Sequence, residues 1–137
     1  MAATNSLIKS NAIKAAVTEF LTTATYKDWN IVQTFAQRSL EDIVAALPVT
    51  ENTIFINFDK ANTYTYESGS CGLEASNYTI YFVSIELNGD NMPEKLIVTS
   101  EEFLENIDDF LRNFYFDGYD NDIMNGNFCY TKLDIKY

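Results

Sequence analysis

The stretch that decides the fold is residues 77–87, NYTIYFVSIEL, in which apolar side chains occur on both faces of a period-two pattern. One face carries Tyr78, Ile80 and Phe82, and the other carries Tyr81, Val83, Ile85 and Leu87. A strand that is apolar on both faces usually lies inside a sheet with packing elements on both sides. Residues 78–87 are therefore predicted to form a central strand.

The preceding residues 51–69, ENTIFINFDKANTYTYESG, contain two shorter alternating runs separated by a polar break. Three apolar residues of the first run share one face of a predicted strand. The residues DKAN at 59–62 predict a break or a tight turn, after which Tyr64 and Tyr66 alternate with threonines. The stretch 67–77 holds two glycines and three serines without periodicity, so it is predicted to be a loop.

The first third of the chain has the spacing of two helices. Residues 6–23 carry apolar side chains three and four positions apart, which predicts an amphipathic helix. A second stripe over residues 31–47 is followed by Pro48, a helix stop signal, and predicts a second helix. This stripe consists of Val32, Phe35, Ala36, Leu40, Ile43, Val44 and Leu47.

The last third of the chain is predicted to contain a helix and a closing strand. Thr99 and Glu102 have the spacing of a capping box, which predicts a helix start there, after a short strand or lead-in of sequence KLIV. The helix is expected to end near Tyr115. A polar loop over 117–127, DGYDNDIMNGN, and a last strand over 127–137, NFCYTKLDIKY, complete the chain.

These elements predict an α+β domain in the order α-α-β-β-β-(β)-α-β. The sheet is expected to be small and mostly antiparallel, with about four strands packed by helices. A chain of 137 residues suits a single domain over 1–137. We expect a helical N-terminal part at about 6–47 and a sheet plus helix over 52–137.

The composition restricts the classes of partner. The chain has 20 acidic and 9 basic residues and a net charge of -11, which disfavours direct nucleic-acid binding and anionic membranes. The N-terminus lacks the pattern of a signal peptide, and no apolar run has the roughly 18–20 residues of a membrane span. The acidity leaves three uses: solubility, a basic protein partner, or imitation of nucleic-acid charge.

The residue types argue against an enzyme, a metal site and a cofactor. Histidine is absent, which removes the commonest general base and leaves Cys71 without a partner for nucleophilic catalysis. Two cysteines, Cys71 and Cys129, are too few for zinc or a disulfide scaffold and are expected to be reduced. Asp117, Asp120 and Asp122 suggest a calcium loop, but the glycine falls one place late and no glutamate follows in register.

The nine tyrosines suggest an interaction surface, because tyrosine suits sites that are dry on one side and wet on the other. The alternative is that they fill a half-exposed sheet. The tyrosines predicted to take part in interactions are Tyr64, Tyr66, Tyr78 and Tyr119.

Three stretches together resemble the tail terminator, or tail completion, proteins of long-tailed phages. They are ALPVTENTIFINFDKANTYTYESG at 46–69, NYTIYFVSIELNG at 77–89 and SEEFLENIDDFLRNF at 100–114. The family has an N-terminal helix, two or three antiparallel strands, a helix packed on the sheet and a closing strand, which TKLDIKY at 131–137 resembles. The resemblance covers roughly residues 40–137, and the helix predicted at 31–47 departs from it.

The resemblance implies a non-enzymatic structural protein of the virion, assembled in the host cytoplasm. Such proteins form a ring, usually a hexamer, that caps the tail tube and joins it to the head-side connector. The partners would be other copies of the chain, the tube protein and the connector. The loop at 67–77, with Glu74, and the acidic loop at 117–126, with Asp117, Asp120 and Asp122, are the expected contact surfaces.

The alternative function is that of a small acidic inhibitor or immunity protein in the cytoplasm. Such a protein would imitate nucleic-acid charge and block a basic nuclease or another nucleic-acid-binding partner. The acids that would form the charge row on one helix are Glu101, Glu102, Glu105, Asp108 and Asp109.

Overall fold

The structure is a computed structural model that describes residues 2–35, 40–46, 51–65, 72–84, 94–112, 114–125 and 128–137. This part of the chain forms three helices and five strands, in the α+β class that the sequence predicts. In chain order they are α1 (Ala2–Thr23), β1 (Asn30–Thr34), α2 (Leu40–Ala46), β2 (Thr53–Thr65), β3 (Gly72–Ser84), α3 (Glu94–Phe110), β4 (Tyr115–Asn125) and β5 (Phe128–Lys136).

The five strands form one mixed sheet in the order β1-β2-β3-β5-β4. β1 pairs with β2 in parallel, and all other neighbours are antiparallel. The prediction of a mostly antiparallel sheet is confirmed, with one strand more than the expected four or so. Two of the strands, β1 and β4, lie where the sequence predicts a helix and a loop, and the described parts of the two alternating runs of 51–69 form the single strand β2.

Helices α1 and α3 cover one face of the sheet, called here the two-helix face. The face is built by alternate residues of the central strands, such as Ile56 on β2 and Ile80 on β3, both fully buried. Phe20 of α1 and Phe103 of α3 meet over this face with their ring centroids 5.1 Å apart. This layer is the larger of the two apolar clusters.

The opposite face is covered by α2 and is called the α2 face. Leu40 and Ile43 of α2 pack on Phe55, Tyr81 and Val83, all five of which are buried. β3 is therefore buried on both faces and lies in the middle of the sheet, as its apolar pattern predicts.

The helix predicted over 31–47 is wrong in its first half. Asn30–Thr34 is a strand, and the helix that follows covers only Leu40–Ala46. The apolar residues of this region have helical spacing, but Ile31, Val32 and Thr34 are β-branched and fit the free edge of β2. Pairing with a strand some twenty residues away overrides the local spacing.

The strands of the central hairpin are longer than predicted. β2 continues to Thr65, and the expected break at 59–62 is only a shift of register between Phe58 and Lys60. β3 begins at Gly72, so the loop prediction is wrong for residues 72–77. The rest of the predicted loop lies outside the described residues.

The predicted capping box is also wrong. α3 begins at Glu94 and ends at Phe110, so Thr99 lies inside the helix and is fully buried. Glu102 has a different role, because its Oε2 accepts the backbone N–H of Thr25 at 3.2 Å. The bond joins α3 to the segment that follows α1.

The acidic stretch predicted to be a loop is largely a strand. β4 runs from Tyr115 to Asn125 and pairs with the closing strand β5, which the sequence predicts correctly. Six of the eleven residues of β4 are Asp, Asn or Gly, which rarely favour strands. Pairing with β5 outweighs that local preference.

We expect the fold to lose stability at alkaline pH. Burial raises the pKa of the Cys129 thiol from 9.0 to about 11. The pKa of Tyr78 is raised from 10.0 to about 12, mainly by burial and to a smaller extent by the charge of Tyr137. Both groups hold their protons more tightly in the folded state, so this stability is present below pH 9.0 and is lost as the pH rises to about 12. Each group contributes at most about 2–3 kcal/mol to the free energy of unfolding.

Urea unfolding followed by circular dichroism from pH 7 to 11 measures this effect. In Cys129→Ala, the decline between pH 9.0 and about 11 should be shallower than in the wild type. Equal slopes in the two proteins would contradict the assignment to Cys129.

Candidate interaction surface

β4 forms one edge of the sheet. It pairs with β5 on its inner side, and no strand in the described part of the chain pairs with its outer side. The outer side of an edge strand presents backbone N–H and C=O groups that can pair with another chain. β4 is eleven residues long, so this free edge is extensive.

Three aromatic side chains of β4 are exposed to solvent. The exposed fractions are 70% for Tyr115, 50% for Phe116 and 36% for Tyr119. The Phe116 ring contacts that of Phe114, with 5.2 Å between the centroids. Neighbouring exposed aromatics on a free edge are unusual in a protein that works alone, because they favour association.

Four of the predicted interaction residues, Asp117, Tyr119, Asp120 and Asp122, lie on β4. Asp120 is opposite Lys132 of β5, whose Nζ lies 3.9 Å from Asp134 Oδ2. Tyr119 faces α3 and donates its hydroxyl to Ser100 Oγ at 3.2 Å. The structure therefore places most of the predicted acidic surface on one strand.

β4 contains two bulges. Asp117 is an extra residue between the pairs made by Phe116 and Gly118, and another extra residue lies between Asp120 and Ile123. Bulges and acidic residues are both ways in which proteins prevent edge strands from pairing indiscriminately. β4 therefore combines two bulges with three aspartates, two kinds of feature that limit pairing at a sheet edge.

The other predicted interaction residues do not join β4. Tyr64 and Glu74 lie in the distal part of the β2–β3 hairpin, where Tyr64 pairs with Leu73. Tyr66 lies outside the described residues. Tyr78 is 1% exposed and belongs to the core, so its assignment to an interaction surface is corrected. Its aromatic ring packs against Phe58 instead, at 5.5 Å between centroids.

The second edge of the sheet is β1, which sequence reasoning missed. Its five residues are uncharged, and Phe35, just beyond it, is 45% exposed. The Gln33 side chain fixes this edge to α1 by donating from Nε2 to Ser10 Oγ and Asn11 Oδ1, each at 2.9 Å. The β-branched residues Ile31, Val32 and Thr34 are the signal that could have indicated a strand.

The charge of the two covering helices is unequal. α1, which contacts β1 and β2, carries two lysines and one glutamate. α3, which contacts β3 and β5, carries six acids and one lysine. Its exposed acids include Asp108 and Asp109 in the last turn, where the negative end of the helix dipole disfavours them. The β4 side of the molecule is therefore much more acidic than the β1 side.

A row of polar side chains crosses the α2 face. Thr34 Oγ1 donates to Asn57 Oδ1 at 2.6 Å, and Asn57 Nδ2 donates to Asp59 Oδ1 at 2.8 Å. Thr79 Oγ1 lies 2.6 Å from Asp59 Oδ2 and 2.9 Å from Asp134 Oδ1. The row links β1, β2, β3 and β5, and the sequence analysis did not identify it. Polar residues at alternate positions, such as Asn57 and Asp59, are the signal that could have found it.

The Thr79 hydroxyl lies between the two carboxylates of the row. A hydroxyl has one proton, so Thr79 donates to one of the two carboxylates at a time. The row contains only two carboxylates, those of Asp59 and Asp134. Within the described residues, no group of three or more His, Cys, Asp or Glu side chains could hold a metal ion. Among the described helices, none is long and apolar enough to cross a membrane.

No family model matches the chain, and no curated protein matches it in sequence.

We expect Thr79→Val to destabilise the fold by about 1–2 kcal/mol, because it keeps the side-chain shape and removes a buried hydrogen bond. Thr131 provides a matched control. It is also buried in a strand of the sheet, but its Oγ1 makes no hydrogen bond to the described residues. Thr131→Val should be neutral or stabilising by up to about 1 kcal/mol. Urea unfolding of both variants measures the difference, and equal losses would contradict a stabilising role for the polar row.

Proposed function

We propose that this protein is a non-enzymatic assembly protein that acts as a tail terminator of a long-tailed phage. In this role, copies of the chain form a ring that caps the tail tube and joins it to the head-side connector. The protein would then be part of the virion, and its partners would be other copies, the tube protein and the connector.

The order of elements supports the proposal. The resemblance implies an N-terminal helix, antiparallel strands, a helix packed on the sheet and a closing strand. α1, the β2–β3 pair, α3 and β5 follow that order. Two segments depart from that order. The one between α1 and β2 contains β1 and the short α2, and β4 lies between α3 and the closing strand β5.

The observation that carries the proposal is the free edge of β4 with exposed Tyr115 and Phe116. A protein that works by assembly needs a surface that is stable when exposed and still able to pair. The bulges and aspartates of β4 prevent indiscriminate pairing, while the aromatics supply apolar area for a specific partner. Acids that remain exposed after assembly would repel the DNA backbone and let DNA pass without adhering.

A second function is favoured by one observation, the exposed acids of α3. Glu101, Glu105, Asp108 and Asp109 are exposed, and the last two lie where the helix dipole disfavours negative charge. A basic partner would relieve that repulsion. This is the arrangement expected of an acidic inhibitor that occupies the basic groove of a nuclease.

Salt distinguishes the two functions, because it changes them in opposite directions. Copies of a chain with net charge -11 repel one another, so screening by salt should strengthen self-association. Binding of an acidic inhibitor to a basic nuclease should weaken with salt. Molar mass by light scattering, at two protein concentrations and at about 0.05 M and about 0.5 M salt, measures the first effect.

The tail terminator proposal predicts a closed oligomer of one defined mass, populated more at high salt and high protein concentration. Negative-stain images of that species should show rings. A monomer under all four conditions, together with salt-sensitive capture by basic nucleases, would replace the proposal with the inhibitor.

A further inference from the structure

We propose that copies of this chain join head to tail, with β4 of one copy pairing antiparallel with β1 of the next. This inference rests on the self-assembly proposed above and specifies the surfaces that make it. Its occupant is a second copy of the same chain, bound through the opposite edge of its sheet.

The strand directions fix the antiparallel pairing. Within the sheet, β1, β2 and β5 run in one direction, and β3 and β4 run in the opposite direction. When a second copy continues the sheet with its helices on the same side, its β1 runs against β4 of the first copy. Antiparallel strands then meet without either molecule being inverted.

The register of the sheet places the exposed aromatics of the two edges at the same level. Thr34, at the end of β1, aligns through Asn57, Thr79 and Asp134 with Gly118 of β4. One residue further on, Phe35 is therefore at the level of Phe116.

The two aromatic residues also share a face. Phe116 pairs with Ile135, which belongs to the core on the two-helix face. Thr34 bonds to Asn57 on the α2 face, so by strand alternation Phe35 falls on the two-helix face as well. Continuation of the sheet brings Phe35 of one copy beside Phe116 of the next, and covers two side chains that are 45% and 50% exposed.

Charge favours this pairing over the symmetric pairing of two β4 edges. β4 carries three aspartates, and α3 beside it carries six acids and one lysine. A β4–β4 pair would place these acids against one another, and like charges on facing strands are destabilising. The residues of β1 are uncharged, and α1, which contacts β1, carries two lysines and one glutamate. The head-to-tail pairing therefore brings together the most acidic side and the least acidic side.

The β1 edge is preorganised for a neighbour. The Asn30 N–H donates to Asn52 O at 3.0 Å and so points toward β2. Because backbone groups alternate along a strand, the N–H and C=O groups of Ile31 and Gln33 point outward. The hydrogen bonds of the Gln33 side chain to α1 hold this edge in place. A strand that is already ordered loses less entropy on binding.

Cysteine pairing tests the proposal in a Cys71→Ser background, where the remaining Cys129 is buried. Phe35→Cys and Phe116→Cys are prepared as separate proteins, and each exposed position is expected to tolerate the change, which circular dichroism checks. Facing side chains of an antiparallel pair have Cβ atoms about 4.5–5.5 Å apart, within reach of a short bismaleimide linker. The mixture of the two proteins should give a linked dimer, and neither protein alone should do so.

Ile8→Cys mixed with Phe116→Cys is the matched control for random collision, since Ile8 is 58% exposed on α1. Linking of Phe35→Cys alone would indicate a β1–β1 pair, and linking of Phe116→Cys alone a β4–β4 pair. Either result, or equal linking in the control mixture, would overturn the proposal.

Light scattering on the same samples separates this inference from the proposed function. Oligomers without the Phe35–Phe116 link would overturn the pairing and leave self-assembly intact. Monomers without any link would overturn both. In addition, Phe35→Ser and Phe116→Ser should each weaken self-association about tenfold or more. Ile8 is also an exposed apolar residue, but it lies on α1 and not on either edge strand, so Ile8→Ser should leave self-association unchanged.

Discussion

The burial of β3 on both faces is the constraint on which the rest of the structure depends. Ile80 and Phe82 face α1 and α3, while Tyr81 and Val83 face α2. Because both faces are apolar, the strand needs a neighbour on each side and a layer above and below. β2 and β5 supply the neighbours, and the helices supply the layers. β1 and β4 are the outermost strands, and in the described part of the chain each pairs with a neighbour on one side only.

The sequence predicts those elements whose local pattern agrees with their surroundings. α1 has helical spacing and packs as a helix, and β3 and β5 alternate and pair as strands. Prediction fails where a partner distant in the chain decides the outcome. Asn30–Thr34 has neighbours at helical spacing, yet β2 pairs with it, and the Asp-rich β4 has a loop composition, yet β5 pairs with it. The mistaken helix start at Thr99 has another cause, because the same Thr-x-x-Glu spacing occurs inside a helix.

The candidate surface was predicted only in part for similar reasons. The acids of β4 are visible as composition, so Asp120, which is exposed, could be identified as a surface residue without knowing that it lies in a strand. In the sequence, Phe35 looks like a core residue of a helix, and Phe116 lies between the helix expected to end near Tyr115 and the predicted loop. Only the strand register shows that the two residues lie at opposite edges of the same sheet. The polar row from Thr34 to Asp134 likewise depends on register, since its members come from four strands.

The bulges of β4 have a further geometric consequence. Each bulge inserts a residue that has no partner on β5, so β4 has eleven residues and β5 has nine. A bulge bends its strand and increases the local twist. In an assembly closed through this edge, the bend contributes to the angular step from one copy to the next, and that step determines how many copies complete the circle. The number of copies would then be set by backbone insertions at Asp117 and within 121–122, and a deletion there would change the size of the circle while leaving the contacting side chains in place.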